Sequence, residues 1–138
     1  MLQAEPLRPD AGWCDAPGDR NYNRKVALPY AASAEKLWRD DHLYDVLVVL
    51  HYNIAPRSQG RGSAIFLHVG RPGLAPTEGC IAMKLEHLLQ LLGLLKPGAA
   101  IAAGKTPAFS ANCGAGSDRG RFRASRWRVL WRRSLPRA

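Results

Sequence analysis

Two residues of this sequence, His68 and Cys80, are of the types and spacing that could carry out nucleophilic chemistry together. A thiol becomes a nucleophile when a nearby imidazole takes its proton and later returns it to the leaving amine. Gly79 lets the backbone approach a substrate carbonyl closely, and the amides of Gly79 and Cys80 can converge on an oxyanion. A helix that begins soon after Cys80 would lower the pKa of the thiol through its positive end. The pattern indicates a cysteine nucleophile with a histidine base, although it is also compatible with a core cysteine and a structural histidine.

Two strands and a helix are predicted to position this pair. Residues 44–50 form an apolar, β-branched run typical of a strand buried on both faces. A second strand is predicted over 64–69, and its period of two places Ile65, Leu67 and Val69 on one face and Ala64, Phe66 and His68 on the other. Loops are expected at 53–62 and 70–79. Leucines at helical spacing then predict an amphipathic helix that Pro97 and Gly98 end, followed by a closing strand over 99–103. These leucines are Leu85, Leu88, Leu89, Leu92 and Leu95.

The two ends of the chain have less regular patterns. Residues 1–30 are rich in Pro, Gly, Asp and Asn and are predicted to be irregular, and Ser33 is expected to cap a short helix over 34–38. The chain has 20 basic and 11 acidic residues, and nine of the basic residues but only one acid lie between Lys105 and the end. Residues 105–138 are therefore predicted to be a basic, disordered tail, with a short basic helix around 127–133.

Composition excludes several classes of protein. The chain has 138 residues, of which 46% are hydrophobic, so it can form one domain with a core and is not disordered as a whole. No apolar run approaches the roughly 18 residues of a membrane-spanning helix, which excludes an integral membrane protein. Residues 1–6 lack the pattern of a secretory signal, so the chain as written is expected to stay in the cytoplasm.

The cysteines and histidines do not have the spacing of a metal site. Three cysteines make an odd count without a CxxC pair, and the four histidines are too far apart for a helical ligand pair, so no metal and no cofactor are predicted. Cys14 is expected to be a buried structural thiol and Cys113 an exposed one. His51 is expected to be structural or to line the same cleft as Cys80, whereas His42 and His87 are expected to be solvated.

The block formed by His68, a glycine-containing loop and residues 77–81 (Thr-Glu-Gly-Cys-Ile) resembles the catalytic block of the L,D-transpeptidase (YkuD-type) domain family. The resemblance extends over about residues 10–104 and includes Gly-Trp-Cys-Asp at 12–15, Asn-Tyr-Asn-Arg at 21–24, and the segments 37–41 and 43–46. It implies an α+β, β-rich fold with a mixed sheet or sandwich and one amphipathic helix after the cysteine. The resemblance further implies a catalytic domain over 1–104, shortened at its N-terminal side, followed by the tail 105–138.

The family resemblance also implies the reaction. Cys80 would attack the carbonyl that joins an L-centre to D-alanine in a peptidoglycan stem peptide, and an amine of a second stem would resolve the thioester, with His68 as base and then acid and without a metal or cofactor. Gly79 and Thr77 would contribute to oxyanion and substrate binding. The family has His where Glu78 stands and Arg or Asn where Ala82 stands. Glu78 is therefore expected to raise the pKa of the thiol unless its side chain points away, and Arg71 is expected to replace the missing group as a carboxylate clamp.

Two alternatives remain open beside the transpeptidase reaction. A hydrolase would form the same thioester and release it with water instead of an amine. An inactive domain could instead bind an anionic surface through its basic tail, with nucleic acid the less favoured partner. The family resemblance implies a location in the cell envelope or periplasm, although no signal peptide is visible in the sequence.

Overall fold

The computed structural model describes residues 3–96, 99–102, 121–123 and 128–132. These residues form ten short strands and one helix, and none of the described helical segments has the length and apolar character to cross a membrane. In chain order the elements are β1 Gln3–Pro6, β2 Ala11–Cys14, β3 Arg24–Ala27, β4 Ala34–Lys36, β5 Val46–Val49, β6 Phe66–Val69, β7 Ile81–Met83, α1 Leu85–Leu94, β8 Ala100–Ala102, β9 Arg121–Arg123 and β10 Arg128–Trp131.

The central element of the fold is a five-stranded mixed sheet in the order β1-β10-β5-β6-β7. β1 pairs with β10, and β6 with β7, in parallel, whereas β10–β5 and β5–β6 are antiparallel. The four residues of β5 are all buried, because one face of the strand packs against the helix and the other against a second sheet. The predicted strand buried on both faces is confirmed.

Alternation along the strands divides the core into two layers. Val46, Val48 and Leu67 pack with Leu88 of the helix on one side of the central sheet. The opposite side of the sheet carries Leu47, Val49, Phe66 and Leu130, and these pack with Trp13 of β2. Because residues two apart in a strand share a face, His68 lies on the same side as Phe66. The predicted division of residues 64–69 between two faces is therefore confirmed.

Helix α1 confirms the predicted apolar face at Leu85, Leu88 and Leu92, but Leu89, which was predicted on the same face, is 49% exposed. Leu88 is fully buried against the central sheet, and Leu85, Leu91 and Leu92 pack beside it. Helix α1 ends before Leu95, whose N–H donates to the carbonyl of Leu91. The predicted terminators Pro97 and Gly98 lie outside the described residues.

A three-stranded antiparallel sheet in the order β3-β2-β4 covers the side of the central sheet that carries His68. The prediction that residues 1–30 are irregular is wrong, because β1, β2 and β3 all lie there. The helix predicted over 34–38 is also wrong. Pairing of Trp13 with Glu35, and of Cys14 with Ala34, draws this segment into β4, so tertiary pairing overrides the local capping signal of Ser33.

Residues 128–131 do not form the predicted basic helix. They form β10, which lies between β1 and β5, and Val129 and Leu130 are buried in the two core layers. The predicted closing strand is present as β8, which pairs with β9. The prediction of a disordered tail over 105–138 is wrong for residues 121–123 and 128–131, which are strands, and the rest of that segment, with Cys113 and Trp127, lies outside the described residues. The α+β, β-rich class with a mixed sheet and one helix after Cys80 is confirmed.

Candidate active site

The parallel pairing of β6 and β7 brings His68 and Cys80 to the same face of the central sheet. His68 is the register partner of Ala82, and Cys80 precedes Ala82 by two positions. Cys80 lies just before β7 and packs against the core layer that contains Phe66, so it is directed to the side on which His68 lies. Both residues line one cleft of about 590 Å³ between the central sheet and the loops that follow His68.

The orientation of the His68 ring follows from its hydrogen bond. The residue is 5% exposed, and its Nδ1 lies 2.8 Å from the carbonyl oxygen of Val69. A carbonyl oxygen only accepts, so Nδ1 has to donate its proton to it. In the neutral ring, Nε2 then carries the free lone pair. Nε2 is therefore the atom of His68 that can accept the proton of a thiol.

The thiol of Cys80 is half-buried and donates to the carbonyl oxygen of Ala64 over 3.3 Å. Burial raises the pKa of this thiol, a main-chain hydrogen bond with Phe66 acts against that rise, and the charge of Glu35 adds to it. The net direction is upward, so the free protein holds Cys80 in its protonated form at neutral pH. A base is therefore required before the sulfur can act as a nucleophile.

The conditions for two expected effects on the thiol pKa are not met. The helix was expected to begin soon after Cys80 and to lower the pKa, but β7 intervenes and α1 begins at Leu85. Glu78 was expected to raise the pKa unless its side chain points away, and the carboxylate whose charge raises the pKa is that of Glu35 on β4. Glu78 is exposed at the rim of the cleft, where solvent screens its charge.

The loop before Cys80 holds the remaining residues of the predicted block. The hydroxyl of Thr77 donates to the carbonyl of Cys80, which closes the turn that presents the cysteine. Gly79 has a φ of +93°, a left-handed conformation that side chains rarely adopt, while a Cβ there would meet only Ile65 at 3.5 Å. The requirement for glycine at 79 is therefore conformational. The roles of Gly79 and Thr77 in oxyanion or substrate binding stay predictions.

Charged side chains are divided between the walls of the cleft. Carboxylates come from Asp15, Glu35 and Glu78, and guanidinium groups from Arg39 and Arg71. Arg39 donates hydrogen bonds from its Nε and its Nη2 to the carboxylate of Asp41, and this partner lowers the pKa of Asp41 to about 2. Arg71 is exposed at the mouth of the cleft, where it can reach a ligand. The cleft therefore offers groups for both signs of a zwitterionic peptide.

Sequence reasoning did not predict Asp15, Arg39, Glu35 or Tyr44 as residues of this cleft, and the last two are joined to each other. The Tyr44 hydroxyl donates to the carboxylate of Glu35, and its ring lies edge-on to the His68 ring with centroids 5.1 Å apart. Glu35 was missed because its segment was predicted to be a helix. Tyr44 was included only in the predicted strand, and no short-range signal relates it to Glu35.

The other candidate histidines and Cys14 do not line this cleft. His51 lines a second cavity of about 380 Å³ beside Trp13, so the alternative that it lines the same cleft as Cys80 is wrong. His42 and His87 are exposed, as predicted. Cys14 is fully buried, and burial raises its pKa, which confirms a structural thiol.

Comparison with known families gives one match. The model of the family described as YkuD, L,D-transpeptidase catalytic domain, matches residues 3–107 of the chain. No curated protein and no solved structure matches the chain significantly. The matched residues include Cys80, His68 and every described residue of the cleft.

Proposed function

Because the chain belongs to the YkuD family of L,D-transpeptidase catalytic domains, we propose that it is a cysteine-dependent L,D-transpeptidase of peptidoglycan stem peptides. The observation that carries this proposal is the placement of Cys80 and His68 on one face of adjacent strands, in one cleft. The hydrogen bond of Nδ1 to Val69 supports it further, because it leaves Nε2 as the basic nitrogen.

Acylation begins with proton transfer from the Cys80 thiol to Nε2 of His68. The sulfur attacks the carbonyl between the L-centre and D-alanine and forms a tetrahedral intermediate, whose oxyanion is stabilised by main-chain amides at Gly79 and Cys80. Collapse of the intermediate breaks the C–N bond. The D-alanine amine leaves with the proton from the His68 imidazolium, and Cys80 is left as a thioester.

Resolution of the thioester repeats these steps with a new amine. The amine of a second stem peptide attacks the thioester carbonyl while His68 removes a proton from it. The C–S bond then breaks, and the thiolate of Cys80 recovers its proton from the imidazolium. The products are a cross-linked peptide and the free enzyme. If water replaces the amine, the same steps give hydrolysis.

Recognition of the donor is assigned to the arginine at the mouth of the cleft. Ala82 lines the cleft where the family pattern has a longer polar side chain, so it cannot hold a substrate carboxylate. Arg71, in the loop after β6, lines the same cleft with a planar fork of donors that suits a carboxylate. The substrate implies action in the cell envelope or periplasm, and that location is part of the proposal.

The proposal is tested by intact-mass spectrometry after incubation with a stem tetrapeptide. Wild-type protein should gain the mass of the donor minus D-alanine, and Cys80→Ser should gain nothing. Cys14→Ser is the matched control, because Cys14 is a thiol that lies buried outside the cleft, and it should retain the adduct. Absence of both the adduct and free D-alanine in a folded wild type would contradict the proposal.

A second incubation separates the transferase from the hydrolase. The acyl-enzyme is mixed with a stem peptide that carries a free amine, and the products are separated by chromatography. A cross-linked product that increases with the amine concentration is expected. Release of the free tripeptide at a rate independent of the amine would assign the protein to the hydrolases instead.

A further inference from the structure

We propose that Glu35 is a positioning residue for the general base, and that it acts through Tyr44 to fix the His68 ring. This inference depends on the proposed function for the choice of His68 as the base. Glu35 itself need not touch the substrate. Its role is to hold the aromatic ring of Tyr44, against which the imidazole packs.

Glu35 is placed by the sheet that covers the cleft. β4 pairs with β2 so that Glu35 stands opposite Trp13, on the side of the small sheet that faces His68. Its carboxylate accepts a hydrogen bond from the Tyr44 hydroxyl. Burial and this hydrogen bond raise the pKa of Tyr44 far above its ordinary value, so the phenol keeps its proton and remains a donor.

Tyr44 in turn limits the movement of His68. Its ring meets the imidazole edge-on at 5.1 Å and meets Phe66 edge-on at 6.0 Å, and the guanidinium of Arg39 lies 5.2 Å from its centroid on the ring face. The residue is 7% exposed. With the hydroxyl held by Glu35, the phenol is fixed at both ends, and the imidazole is held between Tyr44 and its own bond to Val69.

The orientation of His68 matters here because the thiol is protonated in the free protein. Burial and the charge of Glu35 both act against the thiolate, so each turnover needs a proton transfer to Nε2. Proton transfer requires hydrogen-bond geometry, and a small misplacement costs rate. Several other ionisable groups line the cleft around Cys80, and none of them is changed in the variants below. They are Asp15, Arg39, Arg71 and Glu78.

Three variants separate the hydrogen bond of Glu35 from its charge. Tyr44→Phe removes only the hydroxyl and keeps both the ring and the carboxylate. Glu35→Gln keeps an oxygen that can accept from Tyr44 but removes the charge, and Glu35→Ala removes both. The measured quantities are the rate of acyl-enzyme formation and the rate at which iodoacetamide labels Cys80, read by peptide mapping between pH 5 and 9.

Both rates should fall about tenfold in Tyr44→Phe at pH 7, as expected for a misplaced base. Glu35→Gln should keep the wild-type rates or exceed them, because the hydrogen bond survives and the thiol ionises more easily. The decisive comparison is the His68→Ala background, in which Tyr44→Phe should have no further effect on labelling, since residues that act as one unit are not additive. A purely structural role would lower Tm in Tyr44→Phe without moving the pH profile.

Several results would overturn the inference. If Tyr44→Phe lowers the labelling rate of Cys80 by the same factor with and without His68, Tyr44 does not act through the base. A Glu35→Gln variant as slow as Glu35→Ala would show that the charge, and not the hydrogen bond, matters. Failure of the inference is distinct from failure of the proposed function, because labelling of Cys80 needs no peptide substrate. His68-dependent labelling without an acyl-enzyme would contradict the function alone.

Discussion

Replacing Asn23 with alanine should destabilise the protein more than any other polar substitution near the cleft. Asn23 is 2% exposed and connects three segments of chain. Its Oδ1 accepts from the indole N–H of Trp13 at 2.9 Å and from the main-chain N–H of Ala64 at 3.1 Å. Its Nδ2 donates to the carbonyls of Tyr52 and Asn53. One side chain therefore attaches β2 to the loop that precedes His68.

The expected loss of stability in Asn23→Ala follows from the buried donors that lose their acceptor. The indole N–H of Trp13 and the main-chain N–H of Ala64 each lose their acceptor, Oδ1 of Asn23. An unsatisfied buried donor costs about 1–3 kcal/mol, so the free energy of unfolding should fall by about 2–6 kcal/mol. Asn23 also has a φ of 55°, a conformation that costs alanine roughly 1–2 kcal/mol but costs glycine little. Asn23→Gly should thus be less damaging than Asn23→Ala. Domains of this kind are stable by only about 5–15 kcal/mol, so the alanine variant is close to unfolding.

The assay is urea denaturation followed by tryptophan fluorescence, which gives the free energy of unfolding. Asn21→Ala is the matched control, because its amide makes a single side-chain hydrogen bond, to Tyr30 at 2.9 Å, and its loss should cost about 1 kcal/mol. The carbonyl oxygen of Ala64 also accepts the hydrogen bond of the Cys80 thiol. Because Asn23→Ala releases Ala64, the rate of acylation should fall even where the protein is folded. A loss in Asn23→Ala no larger than that in Asn21→Ala would refute the reasoning.

Three further predictions concern the walls of the cleft. The pKa of Asp41 is lowered from 3.8 to about 2, chiefly by its hydrogen bonds to Arg39, so its contribution to stability is complete above pH 4 and lost as pH falls toward 2. Asp41→Asn should therefore be less stable than wild type in urea at pH 6, and the difference should vanish near pH 2; a difference that persists there would contradict the assignment. Gly79→Ala should slow acylation at least tenfold, because a left-handed φ strains alanine and displaces the adjoining cysteine, as mass spectrometry of the acyl-enzyme can show. Arg71→Ala should weaken donor binding about tenfold in a calorimetric titration with an inactive Cys80→Ser background, and unchanged affinity would exclude the carboxylate clamp.

The parts of the fold that sequence predicted well are those that depend on local pattern. The helix around Leu88 could be predicted because its leucines recur with the helical period and that apolar side is the one that packs on the sheet, all within one continuous segment. The apolar run that became β5 is buried on both faces, as expected for a short β-branched run between turn signals. His68 and Cys80 could be identified because a glycine, a loop and the resemblance to a known catalytic block mark them in one stretch of chain.

The parts that sequence predicted wrongly depend on pairing between distant segments. Glu35 was assigned to a helix because a serine precedes a short run without helix breakers, yet β2 draws the segment into a sheet. Arg128 and its neighbours suggested a surface helix, yet β10 completes the central sheet between β1 and β5. Glu35, Tyr44 and His68 come from three separate segments of the chain that only the folded sheets bring together. No local signal could therefore have revealed their contact.

The position of β10 also determines the order in which this fold can be completed. Ribosomes deliver the chain from its N-terminus, and β5 emerges long before Arg128–Trp131, the strand that pairs with one of its edges. Until then Leu47 and Val48, fully buried in the finished sheet, border an edge without its partner. The central sheet therefore depends on contacts between residues far apart in the chain, and this edge of β5 stays unpaired until Arg128–Trp131 has been synthesised, which favours aggregation of the nascent chain during that interval.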